Sequence, residues 1–127
     1  MLQAYDLTKS HRPGEPVLQG VNLDLGSEET LAVVGPSGCG KTTLLYALAG
    51  LSLPDHGSVT LDGEAILAPR SDVSIILQDY GLLPWQTVLD NVALGLKIRG
   101  MGRAERYERA RAQLAELGIQ GRDRDFP

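Results

Sequence analysis

The sequence predicts an α/β fold, and three observations carry that prediction. LQAYDL (Leu2 to Leu7) and VNLDL (Val21 to Leu25) alternate apolar and polar residues, the pattern of half-buried strands. TLAVVG (Thr30 to Gly35) and VSIIL (Val73 to Leu77) are short, continuously apolar runs, which suit strands covered on both faces. Between the first of these runs and an apolar helical stretch lies GPSGCGKTT, Gly35 to Thr43, a glycine-rich connection carrying a single lysine.

The elements follow in order. The two alternating segments form an antiparallel edge region, joined through KSHRPGEP, whose proline and glycine mark a loop or hairpin turn. From Lys41 the residues TTLLYALAG are apolar nearly all round, predicting a buried helix that Gly50 closes. GSVTLDG gives another alternating strand over Ser58 to Leu61, and VSIIL a second central strand. After Pro84, Thr87 with Asp90 three residues on has the form of a capping box opening the helix TVLDNVALGLKIRG. A last helix near Arg103 to Leu117 carries Tyr107, Ala110, Leu114 and Leu117 along one stripe. On it Glu105 and Arg109 sit four apart in the favourable order. Six of the nine arginines fall between Arg103 and Arg124, which reads as a solvated, charged helix.

Gly35, Gly40, Lys41 and Thr42 meet the pattern G-x-x-x-x-G-K-[ST] between a predicted strand and a predicted helix. Each residue type answers a physical need. A polyphosphate requires several converging donors, and backbone N–H groups supply them where no side chain blocks the approach. Glycines allow that approach and the positive φ angles of a tight loop. Free N–H groups and the dipole of the following helix favour negative charge. Lys41 reaches the β- and γ-phosphates, and the Thr42 hydroxyl is a Mg²⁺ ligand. The loop residues Gly35, Pro36, Ser37, Gly38, Cys39, Gly40, Lys41, Thr42 and Thr43 are therefore the candidate nucleotide site, with Mg²⁺ beside the phosphates. Small-molecule kinases, GTPases and motor ATPases share such a loop, and ATP follows only from the resemblance given below.

Composition narrows the classes. At 127 residues the chain is sized for one domain, and its formal net charge of −4 gives no reason to expect a nucleic-acid partner. The lone Cys39 excludes an internal disulfide and fits a reducing compartment. The first twenty residues hold no signal-peptide core, and the run LLYALAGL is far short of a membrane helix. The expectation is a soluble, cytoplasmic chain.

GPSGCGKTTLLYALAGL, then GSVTLDG, then IILQDYGLLPWQTVLDNVALGL resembles, in sequence and order, the nucleotide-binding subunits of ABC transporters. QDYGLLPWQTVLDNV is most similar to the nitrate/sulfonate/taurine importer branch. The resemblance implies an α/β P-loop NTPase core, incomplete, with an N-terminal antiparallel β region and the start of a helical subdomain. Residues 1–86 would hold the β region and core up to the Q-loop, and 87–127 the opening of the helical part.

The same resemblance assigns further roles. Gln78 would be the Q-loop glutamine, a catalytic and metal-site residue that helps hold Mg²⁺ and the attacking water. Thr43 would bond the α-phosphate. Tyr80 to Thr87 would lie near the coupling helix of a transmembrane permease subunit, with Trp85 open to docking or to ordinary packing. A second ATP-binding subunit would complete the site, and a solute-binding protein would act indirectly. The implied location is the cytoplasmic face of the plasma membrane.

Two departures stand out. The family's adenine-stacking aromatic sits before the second strand, and the corresponding position here is His11, a smaller platform. Tyr5, inside the strand pattern, reads as structural. No four-residue apolar run ends in the aspartate of a Walker B strand; VSIIL leads to Gln78, and Asp79 is already in the loop. There is no catalytic glutamate after such a strand, no LSGGQ-like signature and no switch histidine, His56 being placed in a turn. The expectation is the N-terminal half of an importer's ATP hydrolase, inactive by itself. The alternatives are a non-catalytic nucleotide-binding or interaction fragment and, more remotely, a P-loop kinase with the arginine helix as lid.

Overall fold

A computed structural model describes all residues, Met1–Pro127. The chain divides into two compact units, Met1–Ile75 and Ile76–Pro127.

The first unit is a four-stranded antiparallel sheet with one helix. Strands β1 (Leu2–Arg12) and β2 (Glu15–Leu25) form a long hairpin, and β3 (His56–Leu61) and β4 (Glu64–Ala65) extend it in the order β2-β1-β3-β4. Both hairpin strands run further than the alternation predicts. KSHR and EP are paired, with Arg12 opposite Glu15, so only Pro13 and Gly14 remain for the turn. The alternation fades there because the register shifts repeatedly between Ala4 and Arg12, so inward and outward positions no longer follow a strict period of two. His56 opens β3 opposite Thr8 rather than lying in a turn.

The helix α1 (Lys41–Leu48) ends as expected, with Ala49 as C-cap and Gly50 at φ +71°. It is buried on one face only: Thr43, Leu44 and Ala47 are inside, whereas Leu45 is 46% exposed. Leu44 and Ala47 pack with Ala4, Leu7, Leu18, Val59 and Ile66 into one core, which seats the helix on the sheet.

The two central strands do not form. Residues 30–35 and 73–77 are irregular and join no ladder. A continuous apolar run becomes a strand only when neighbours on both edges take its N–H and C=O groups and other elements cover its faces. Neither run has such neighbours, and Val34 is 86% and Ile76 83% exposed. The apolar pattern is correct for a central strand, but the sheet it belongs to is not assembled.

The second unit is a helical pair. Thr87 caps α2 (Val88–Ile98), accepting from Asp90 N–H, as the capping-box pattern predicts. Helix α3 (Arg103–Glu116) carries the Glu105–Arg109 ion pair at 2.8 Å. Leu89 and Ala93 of α2 pack on Ala110 and Leu114 of α3, with Val88 and Tyr107 alongside; Leu117 ends outside that stripe. The C-terminal stretch returns to α2, where the amides of Val88 and Leu89 donate to the carbonyls of Asp125 and Asp123. No helix is long and apolar enough to cross a membrane.

Candidate functional site

The glycine loop is built by two left-handed residues and a helix start. Gly38 (φ +80°) and Gly40 (φ +98°) turn the chain where an L side chain would be strained. Gly40 is doubly required, because a Cβ there would lie 2.9 Å from the Val17 carbonyl oxygen of β2. That contact brings the start of α1 close against the hairpin. Gly40 is the N-cap and offers no side-chain oxygen, and the first turn holds no acid. The first main-chain bond of the helix runs from Leu44 N–H to Gly40 O at 2.8 Å. The amides of Lys41, Thr42 and Thr43 thus precede the hydrogen-bonded ladder, at the positive end of the helix dipole.

Lys41 lies over its own loop. Its ammonium donates to Gly35 O at 2.8 Å and Pro36 O at 2.7 Å, with Cys39 Sγ at 3.7 Å. Cys39 sits so close to Gly35 that a Cβ at Gly35 would meet its sulfur at 2.8 Å, so a larger residue at 35 would have to displace the thiol. The Thr42 side chain is exposed, and Thr43 is buried. Beside Lys41 and Thr42 an apolar hollow of about 330 Å³ is lined by Leu31, Val33, Leu44, Leu45 and Leu48.

His11 is in β1, one residue from its end, and not in a loop. Its Nε2 lies 2.9 Å from Thr43 Oγ1, which joins two residues whose expected ligands were different parts of one nucleotide. Asp55 holds this stretch of β1 in place, a role the sequence reading missed. The Asp55 carboxylate accepts from Ser10 N–H at 2.7 Å and from Lys9 Nζ at 3.0 Å, and its amide donates to Thr8 O. Those bonds, the Ser10 amide first, hold its carboxyl below the usual aspartate range. Tyr5, 72% exposed, lies within the strand.

Gln78 belongs to the second unit, exposed in a turn. Tyr80 N–H donates to Leu77 O at 2.9 Å, and Gly81 N–H to Asp79 O at 2.7 Å. Tyr80 adopts φ +59°, rare for an aromatic residue and a mark of a locally constrained loop. The segment presents Tyr80 (76%) and Trp85 (70%) to solvent, so Trp85 is not a packing residue. Asn91, on α2, fixes this segment and was also missed. It accepts from Leu83 N–H and donates to the carbonyls of Leu83, Gln86 and Thr87. The available signal was an asparagine inside a predicted helix, where that residue type is disfavoured without a local bonding reason.

The family model described as ABC transporter matches residues 18–127, from the second hairpin strand through the glycine loop to the last residue. The chain belongs to the ABC transporter family. Its relatives include the taurine import ATP-binding protein TauB of Pseudomonas aeruginosa, 50% identical over 104 residues, which cover 82% of this chain and 40% of that protein. TauB of Escherichia coli K12 is 44% identical over 113 residues, 89% of this chain and 44% of that one. The chain therefore spans less than half the length of these relatives.

Among solved structures the ABC cassette MJ0796, in a dimeric post-hydrolysis state bound to ADP and Pi, superposes with a TM-score of 0.83 at 28% identity. The match covers 99% of this chain and 61% of that chain. The fold is that of an incomplete α/β P-loop domain of the ABC type, with the antiparallel region and the P-loop helix present and the central sheet unformed.

Proposed function

We propose that the chain is the nucleotide-binding part of the ATP-binding, energy-coupling subunit of an ABC importer for taurine- or sulfonate-type anions. The observation that carries this reading is the loop itself: glycines at φ +80° and +98°, an uncapped helix start and Lys41 poised over both. The naming of the relatives as taurine import proteins supports the solute class.

In this reading the amides ahead of α1 receive the phosphates. Lys41 exchanges two neutral carbonyl acceptors, Gly35 O and Pro36 O, for phosphate oxygens of charge opposite to its own, which adds direct charge–charge attraction. The exposed Thr42 hydroxyl fits Mg²⁺ as one hard oxygen ligand beside phosphate oxygens and water. Mg²⁺ bound with the nucleotide neutralises charge on the β- and γ-phosphates. Thr43 addresses the α-phosphate, and Gln78 the metal and the attacking water. His11 offers its ring to adenine. Tyr80 to Thr87 faces a transmembrane permease on the cytoplasmic side of the membrane, and a second ATP-binding subunit closes over the nucleotide. Coupling of hydrolysis to import belongs to that whole assembly.

Titration calorimetry of MgATP against the chain and against Lys41→Ala tests the site. Removing the loop's cation is expected to weaken binding roughly 10- to 100-fold, the worth of a charged hydrogen-bond donor. Unchanged affinity in a variant with unaltered circular dichroism would remove the phosphate assignment.

A further inference from the structure

We propose that His11 is a positioning residue for the phosphates, acting through the proton of the Thr43 hydroxyl; the inference rests on the nucleotide reading of the loop. His11 Nε2 and Thr43 Oγ1 are 2.9 Å apart, and the imidazole is the one hydrogen-bonding partner of that hydroxyl within the chain. Thr43 is buried at the third position of α1, so its side chain is not a freely turning surface group.

A threonine hydroxyl has one proton and two lone pairs, and a neutral imidazole nitrogen is either donor or acceptor. Two arrangements therefore fit the same distance. In one, Thr43 O–H donates to a bare Nε2, and only lone pairs remain to meet an anion. In the other, Nε2–H donates to Oγ1, and the Thr43 proton is released toward a phosphate oxygen. The second arrangement gives the chain Nε2–H···Oγ1–H···O–P, in which each link polarises the next. A phosphate at the start of α1 thus selects the Nε2–H form of His11. The geometry that makes this available comes from the hairpin: Asp55 pins Ser10 and Lys9 beside His11, and Gly40 lets α1 approach β2.

A stacking platform and a proton-directing residue make different demands, and inorganic triphosphate separates them because it has no base. His11→Phe keeps a ring of stacking size and removes the donor. It is expected to weaken inorganic triphosphate by about five- to tenfold, the effect of one hydrogen bond, and MgATP by less, because the phenyl ring is the larger stacking platform. Thr43→Val should weaken triphosphate by a similar factor, and the double variant should lose little more than either single one. Nitrogen-15 spectra of the His11 ring should show Nε2 protonated in the triphosphate complex. Triphosphate affinity unchanged in His11→Phe, additive losses in the double variant, or a bare Nε2 in the complex would each overturn the proposal. The loop reading stands or falls separately: if Lys41→Ala binds triphosphate as the parent does, it is the phosphate site that has failed.

Discussion

Asn91 holds Leu83 by both ends of its peptide unit: Leu83 N–H donates to Asn91 Oδ1 at 2.8 Å, and Asn91 Nδ2 donates to Leu83 O at 3.0 Å. The same amide nitrogen reaches Gln86 O at 3.1 Å and Thr87 O at 3.0 Å, so one side chain ties down the segment that exposes Trp85.

Asn91→Ala should therefore cost about 1–3 kcal/mol of stability, since part-buried carbonyls lose their donor and a backbone amide its acceptor. Asn91→Asp should fare little better, because a carboxylate still accepts from Leu83 N–H but faces three carbonyls with no proton to give. Trp85 is the only tryptophan, so its emission and its quenching by acrylamide report the segment directly. Thermal unfolding and Trp85 quenching that match the parent in both variants would show that the segment keeps its shape without Asn91.

Acid should loosen the helical pair through Asp90. Its carboxylate accepts from Tyr107 Oη at 2.6 Å and from Thr87 Oγ1 at 2.8 Å, and these bonds, Tyr107 first, hold it below the usual aspartate range. A carboxyl lower in the folded than in the unfolded chain contributes fully only above about pH 5, roughly one unit over the unfolded value. That contribution disappears as pH falls through the folded value. Tyr107→Phe should lower the melting temperature at pH 7 and flatten its decline between about pH 5 and 3. A parallel decline in parent and variant would assign the acid sensitivity elsewhere, with Asp55 the next group to test.

Self-association is expected from the unpaired apolar run. Leu31, Val33 and Val34 are 49%, 47% and 86% exposed beside the hollow on α1. Exposed apolar backbone without a ladder invites pairing with another copy. Light scattering of the 127-residue chain should show association that rises with concentration, and Val34→Lys should reduce it. A monodisperse parent chain at high concentration would contradict this.

The chain alone is expected to bind MgATP without turning it over. No four-residue apolar run ends in an aspartate, and no glutamate follows such a run. In-line attack needs a group that positions water as well as a held metal. Robust phosphate release that depends on Lys41 would refute this and direct attention to Asp79.

The sequence made local structure legible wherever a short pattern suffices to form it. The Thr87 cap, the Gly50 terminus and the Glu105–Arg109 pair all depend on residues within a turn or two of each other. TLAVVG and VSIIL misled because their pattern describes a sheet position, and a sheet position exists only with neighbours. His11 was misplaced because the bulged register of β1 hides its pairing from a period-two reading. The Asp55 clamp lay beyond reach, because a carboxylate bonding 45 residues away leaves no trace in spacing; Asn91 showed only its residue type inside a helix, not the partners it reaches eight residues back.

Gly40 is caught between two demands, a φ of +98° and contact with the Val17 carbonyl, and so the junction of loop and helix has little conformational freedom left to surrender. Ordering a flexible loop around a ligand costs entropy at the moment of capture. Here the hairpin has already met that cost during folding. Association with a nucleotide should accordingly be set by encounter, with a rate that varies little with loop composition. Differences in residence time would then record the strength of the grip alone.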